Sequence, residues 1–418
     1  MTPLTATVPF VAYVGLDWAD AQHEACALGP DARHTATVVQ QPEAIREWVE
    51  QLRRQFGPGP IAIAVEQQRG ALIHALLQYE DLVLFPINPK QLARYREARA
   101  PSGAKDDPTD AALLAEFVRN YQATLRAWRP QEPRTRQLER LCEIRRRLVN
   151  QRTKIVQQLV DALKQSFPLA LELAGSLKGE RALALLERWP SHDKLRRAHP
   201  DSLRRFWQKF YRQADRVEAL VQRARQSPPL TRDTAVIEPF AMLITVLVRQ
   251  LKVLQQAIGQ FDQRIAELLA SDPDAELFRS LPGAGAALAP RLKVAFGDDR
   301  QRYQHASEVQ QYSGIAPITR RSGKSQVVQR RFACPKFLRQ TFHEFADQAR
   351  RFSRWSNAYY RLQRQRGLGH QAAVRSLAFK WIRIIFRLWQ TRTPYDEQRY
   401  IEQLQRHKSP IVPLLATP

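Results

Sequence analysis

Three short apolar runs set the limits on what this chain can become. "VAYVGLD" (Val11–Asp17), "IAIAVE" (Ile61–Glu66) and "LVLFPINP" (Leu82–Pro89) are too short and too uniformly apolar for amphipathic helices, and turn residues such as "GPGP" bound them. They read as buried strands. "EACALG" and "TATVV" add two more strand-like segments after the first run. "PEAIREWVEQLRRQF" and "ALIHALLQY" have helical spacing, and a further helix follows "APSGAKDDPTD". The order is three strands, helix, strand, helix, strand, helix. That alternation predicts an α/β domain over residues 10–125.

The remainder predicts helices. Leu138, Leu141, Leu148, Ile155, Leu159 and Ala162 follow a 3-4 spacing interrupted by Arg145 and Arg152. Leu247, Leu251, Leu254, Ile258, Phe261, Ile265 and Leu268 follow it without a break. Both read as coiled-coil-like helices, and residues 126–272 form a helical middle region whose stripes must bury against something, which argues for a homo-oligomer. Residues 273–395 are a mainly α third part. It contains a Gly-rich turn in "LFRSLPGAGAALAPRL", a loop-rich stretch in "QYSGIAPITRRSGKSQVVQRRFACP", and a helix that buries Val374, Leu377, Trp381, Ile385 and Leu388. Residues 396–418 are a tail.

Charge narrows the function. Among 418 residues, 65 Lys and Arg face 41 Asp and Glu, a formal net charge of +24. The excess lies in the middle and C-terminal thirds, which points to a polyanionic partner, most often nucleic acid. Three distant cysteines, Cys26, Cys142 and Cys334, make neither a disulfide framework nor a zinc site and fit a reducing cytosol. The apolar stretch around Phe240–Val248 is too short to span a bilayer, and no secretory signal is seen, so a cytoplasmic protein is expected. His23, His74 and His343 have no metal-ligand spacing.

In a chain this basic, the acids of "GAKDDPTDAALLAEF" (Gly103–Phe117) stand out. One reading is a helix N-terminus, with Asp107 as N-cap and Pro108 at the first helical position. The other is a metal site. Asp107 and Asp110 lie one turn apart on one helix face, while Asp17 and Glu66 each close an apolar strand. Close carboxylates repel one another unless a cation neutralises them. Hard oxygen ligands from separate elements suit Mg²⁺ or Mn²⁺, and two such ions can clamp the oxygens of a phosphodiester.

These residues resemble a known family. The order of elements with Asp17, Glu66, Asp107 and Asp110 resembles the RuvC-like, RNase H-type fold. More closely, "YVGLDWA", "AIAVEQ", "FPINPKQLARYR" and "GAKDDPTDAALLAEF" look like the DEDD transposases of bacterial insertion sequences. Those enzymes carry a second, serine-bearing C-terminal domain, which "LFRSLPGAGAALAPRL" and "YSGIAPITRRSGKS" resemble. The resemblance covers about residues 10–125 and 274–395. It implies a recombinase acting on donor and target DNA through a covalent phosphoserine, guided by a structured RNA. It assigns metal binding to Asp17, Glu66, Asp107 and Asp110, and the nucleophile to Ser322. The chain departs from the family at "EQQRG" after Glu66, and in having Asp106 beside Asp107. Asp106 is therefore a rival ligand.

Arg320, Arg321 and Lys324 flank Ser322, and Gly323 permits close backbone approach. With Lys105 they are the candidate nucleic-acid contacts. From residue pattern alone the same segment is a solvated basic turn, and Ser325 is the alternative nucleophile. The Gly-rich turn could present N–H groups to a phosphate or simply join two helices. Two other functions stay open: a metal-dependent RuvC-like nuclease such as a junction resolvase, leaving Ser322 idle, and a non-catalytic nucleic-acid scaffold.

Overall fold

The computed structural model describes residues 9–30, 32–66, 70–99, 106–323 and 325–415. It divides into two compact units, Met1–Pro130 and Gln131–Pro418.

The first unit is built on a five-stranded mixed sheet. Its elements run β1 (Ala12–Asp17), β2 (Gln22–Leu28), β3 (Arg33–Val39), α1 (Pro42–Phe56), β4 (Ile61–Val65), α2 (Ala71–Leu76), β5 (Leu82–Pro86), α3 (Pro89–Arg99) and α4 (Asp107–Tyr121). The strand order is β3-β2-β1-β4-β5. β1, β2 and β3 pair antiparallel, while β4 and β5 extend the sheet in parallel. The order of strands and helices follows the apolar runs as expected, with α3 as an added helix. Only Leu92 of α3 is buried, so it carries little periodic signal.

The two sheet faces are chemically distinct. Ala12, Val14 and Leu16 of β1 and Ile61, Ile63 and Val65 of β4 share a core with Ile45, Trp48, Val49 and Leu52 of α1. The alternate residues face α4. Gly15 is the point of closest approach: a Cβ there would lie 1.9 Å from the Ala111 carbonyl oxygen and 2.4 Å from the Ala115 nitrogen. Ala62 and Ala64 of β4 pack with Leu113, Leu114 and Phe117 of α4. Small residues on the strands let the helix backbone rest directly on the sheet.

The second unit is almost entirely helical. α5 (Pro133–Ser166) leads into α6 (Leu169–Ala174), α7 (Glu180–Arg188), α8 (His192–Arg196), α9 (Pro200–Gln208) and α10 (Ala214–Gln226), and α11 (Thr234–Ala270) returns. The chain continues through α12 (Ala275–Arg279), α13 (Gly285–Phe296), α14 (Ala306–Tyr312), the hairpin β6 (Ile318–Ser322) and β7 (Ser325–Gln329), then α15 (Lys336–Phe352), α16 (Arg354–Gln365), α17 (His370–Thr391) and α18 (Glu397–Arg406). The two heptad stripes bury largely against each other. Leu138 and Cys142 at the start of α5 share a core with Ile265 and Leu268 at the end of α11. Leu159 and Leu163 at the other end meet Leu247 and Leu251. The pair is therefore antiparallel within one chain.

Phe240–Val248 lies inside α11, which is long and apolar enough to cross a membrane by length and composition. Its Ile244, Leu247, Val248 and Leu251 are spent on the pairing with α5 and the short helices. In α17, Trp389 is fully buried and Leu388 only partly so, which rotates the expected inner face slightly. The stretch expected to be loop-rich forms the β6–β7 hairpin. Its strands are solvent-exposed apart from the partly buried Ile318, so no alternation of polarity announces them.

We predict that Gly15→Ala destabilises the first unit by about 3 kcal/mol or more, because the backbone of α4 must move. Denaturant unfolding measures this. Parental stability in the variant would mean that α4 does not rest on β1.

Candidate functional site

The first candidate site lies at the carboxyl ends of β1 and β4. Their parallel register pairs Leu16 with Val65, so Asp17 and Glu66 leave neighbouring strands side by side. Strands in a sheet lie about 4.8 Å apart. Residues alternate in facing along a strand, so Asp17, the last residue of β1, continues the face of Gly15 that α4 covers. Glu66 follows the last residue of β4.

The direction of α4 brings its acids to the same end. Near its C-terminus, Gln122 Nε2 donates to Tyr13 Oη at 2.9 Å. Ala111 and Ala115 rest on Gly15. α4 therefore runs antiparallel to β1, and its first turn, with Asp107 and Asp110, lies toward Asp17. A further acid joins them that sequence spacing did not single out. Glu24 on β2 is the register partner of Asp17 and accepts from Thr37 Oγ1 at 2.9 Å. Its only signal was its place at the start of the second strand.

The helix start corrects the capping assignment. The N-cap is Asp106, whose Oδ1 accepts from the Thr109 N–H at 2.7 Å. That hydrogen bond holds the Asp106 carboxyl below its usual range. Asp107 is the first helical residue and is exposed, with Pro108 second. Asp106 thus takes the capping role, leaving Asp107 outside it.

Asp110 is buried, 3% exposed, and is neutralised by Arg96 of α3. Arg96 Nε and Nη2 both reach Asp110 Oδ1, at 2.8 and 2.5 Å. A second bridge, Arg99 to Glu116 at 2.5 Å, ties α3 to α4. Arg96 is a neighbour that spacing could not reveal. His23 is structural: it is buried, hydrogen-bonded to Gln40 and stacked on Trp18, the residue after Asp17. Lys105 lies outside the described residues. Among the described residues, no group of three His, Cys, Asp or Glu side chains stands close enough to hold a metal ion.

The second candidate site belongs to the other unit. Ser322 ends β6 and pairs in register with Ser325, the first residue of β7. Gly323 makes the turn at φ 55°, where a Cβ would meet nothing. That left-handed conformation favours glycine in a tight hairpin. Alternation puts Arg320 on the Ser322 face and Arg321 on the opposite face. The two arginines therefore do not flank the hydroxyl symmetrically, although both are exposed. Lys324 lies outside the described residues. At the hairpin base, Gly314 packs so closely on Cys334 that a Cβ would lie 2.3 Å from its Sγ. Beyond β7, Phe332 is 70% exposed with Arg330 stacked 4.6 Å over its ring.

Comparison with known proteins agrees with both units. Residues 14–168 match the model of the DEDD transposase family of IS110 elements, and residues 275–361 match the transposase family of IS116, IS110 and IS902. The chain is 29% identical to the IS117 mini-circle transposase of Streptomyces coelicolor, over 93% of this chain and 96% of that protein. It is 27% identical to the 44.8 kDa protein of insertion element IS116 from Streptomyces clavuligerus, over 90% and 93% of the two chains. With the 42 kDa protein of IS900 from Mycobacterium paratuberculosis it shares 24% identity over 92% and 96%. An acid-tipped mixed sheet joined to this second family region makes the protein a DEDD transposase. The chain belongs to the IS110 family.

We predict that Asp106→Asn retains both the helix cap and DNA cleavage, since Asn caps as well as Asp. Asp107→Asn is expected to lower cleavage by about two orders of magnitude or more. Strand cleavage of element-end DNA measures both, and the reverse ranking would make Asp106 the working acid.

Proposed function

We propose that this transposase cuts and rejoins element DNA through a phosphoserine at Ser322, with Asp17, Glu66, Asp107 and Asp110 serving a divalent cation. On this reading the first unit is RuvC-like, of RNase H type, and a structured RNA supplies the choice of site. The observation that most supports it is the register of β1 and β4, whose last pair, Leu16 with Val65, directly precedes Asp17 and Glu66. Carboxylates drawn together around a scissile phosphate would raise each other's energy unless positive charge is near. Asp110 meets that need with Arg96. An all-oxygen donor set suits Mg²⁺ or Mn²⁺, and Asp110 would exchange Arg96 for the ion. When bound, the ion would supply positive charge for the scissile phosphate.

The chain's own groups account for the rest. Ser322 Oγ bonds to phosphorus and its proton passes to a carboxylate base. The bond from phosphorus to the leaving oxygen breaks, and that oxygen takes up a proton as a free hydroxyl. The diester is conserved, so a new strand's hydroxyl can reverse the step. A serine hydroxyl is weak unless activated, so an exposed Ser322 is inert until DNA is present. Arg320, on the same face, would neutralise the phosphate. Arg321, Lys324 and Lys105 would hold flanking backbone. A net charge of +24 favours donor DNA, target DNA and RNA together. The work would be done in the bacterial cytoplasm, on nucleoid DNA.

The proposed homo-oligomer has a specific surface. After α5 is served, α11 still exposes Met242, Val246 and Val253. Residues four and seven apart share a helix face, so these three form one stripe. We predict that Val246→Glu with Val253→Glu shifts the protein to a smaller species in sedimentation. An unchanged mass would place the interface elsewhere.

The decisive experiment follows the DNA. Labelled DNA with a trapped cleavage product should migrate with denatured protein. Ser322→Ala should lose this adduct, whereas Ser325→Ala should keep it. A parent enzyme that cuts without forming an adduct would make the metal-dependent nuclease the better account.

A further inference from the structure

The second unit holds a recess that the cleavage chemistry above does not use. It is a cavity of about 430 Å³, within the size range of small-ligand sites. Two helices begin at its wall. Ala287 and Leu288 come from the first turn of α13, and His370 and Gln371 from the first turn of α17. Neither helix has a side-chain cap, since their N-cap residues are Ala284 and Gly369. The positive ends of two helix dipoles thus border one cavity.

Arg145, Arg146 and Arg291 line the same recess. Arg291 is 5% exposed. Its Nε donates to Thr341 Oγ1 at 3.1 Å and its Nη1 to Glu344 Oε2 at 2.6 Å. Among the described residues, its buried Nη2 finds no hydrogen-bond partner. A buried guanidinium N–H without an acceptor is costly, and an entering oxygen would relieve it.

The acids nearby are already neutralised. Glu344 also meets Arg146 at 3.0 Å, Asp347 pairs with Arg350 at 2.7 Å and lies 3.4 Å from Arg351, and Arg145 pairs with Asp262. Five guanidinium groups therefore meet three carboxylates. Positive charge is in surplus before either helix end is counted.

We propose that this recess binds a phosphate of a nucleic-acid strand, with room for the attached nucleoside. The proposal rests on the transposase reading for the source of that phosphate, which is a strand either of the element's DNA end or of its structured RNA. A recess suits a phosphate that projects, as at a strand end or a displaced nucleotide, better than the rail of a regular duplex.

The test uses the full chain and two substitutions that leave the helices intact. Ala287→Asp and Gln371→Glu place an acid in each first turn, where the dipole favours it, yet each repels an incoming anion. Gln405→Glu, exposed on α18, controls for net charge. Affinity is measured against salt for element-end DNA and for the element's RNA transcript. Loss of one phosphate contact should make the salt slope shallower by about 0.9 on duplex or about 0.7 on a single strand. We expect that change, with several-fold weaker binding, in one arm for both recess variants and not for Gln405→Glu. The arm that changes identifies the source. Unchanged slopes in both arms, or equal effects from Gln405→Glu, would overturn the proposal while leaving the transposase reading intact. A parent protein that binds neither nucleic acid would overturn both.

Discussion

The acidic end of the first unit depends on one close approach, the seating of α4 on Gly15. Side chains ordinarily fill the space between a helix and the sheet it packs on. Here the strand residue has no side chain, and the helix offers Ala111 and Ala115. The backbone of α4 therefore descends onto β1 itself. Asp17 is two residues beyond the contact on the strand, and Asp110 one residue before it on the helix. A larger residue at Gly15 would lift the helix and separate acids that belong to different elements. The alternation of β1 thus serves two purposes: Ala12, Val14 and Leu16 hold α1, and Gly15 between them sets the height of α4.

The second unit uses buried charge for a comparable purpose. Lys293 of α13 is 1% exposed and lies between Asp272, Asp274 and Asp298, at 3.4, 3.1 and 2.9 Å. Burial alone would lower its pKa, but the hydrogen bond to Asp298 and the three carboxylates raise it above the usual lysine value. Asp298 also accepts from Thr135 Oγ1 at the start of α5, and Asp274 from Arg300. The network ties the end of α11, the start of α12, the start of α5 and the C-terminal end of α13 to one point. A buried ion group of this kind is weak evidence for stability, because desolvation opposes its attraction. Its value here is positional: it fixes where the antiparallel α5–α11 pair enters the C-terminal core.

Much of the first unit was legible because β1, β4 and β5 are short, largely buried apolar runs. The acids were legible as strand ends for the same reason. The N-cap was misplaced by one residue because Asp106 and Asp107 both precede Pro108, and proline fits either of the first two helical positions. Only the Asp106–Thr109 hydrogen bond distinguishes them. α3 was hidden by its lack of an apolar stripe, and with it Arg96, the partner of Asp110. The hairpin was hidden for the opposite reason. A strand shows in sequence when one face is buried, and β7 buries neither. The heptad stripes were legible as stripes, but periodicity does not name a partner, and each found the other within its own chain.

The exposure of that hairpin bears on how the chemistry is controlled. A two-stranded ribbon is marginally stable by itself in water. This one is anchored at its base, where Gly314 meets Cys334 and Arg339 Nη1 lies 3.5 Å from the same sulfur. At its tip, Ser322 pairs with Ser325, and both are exposed. Regions with few buried contacts open at low free-energy cost. A hydroxyl carried there is poorly oriented until something binds along the ribbon, and orientation is a large share of catalytic power. In contrast, Asp17 ends β1 and Glu66 follows β4 within a packed sheet. On the proposed function, a fixed acidic site and a serine ordered by its substrate would together restrain cutting to DNA that has already been engaged.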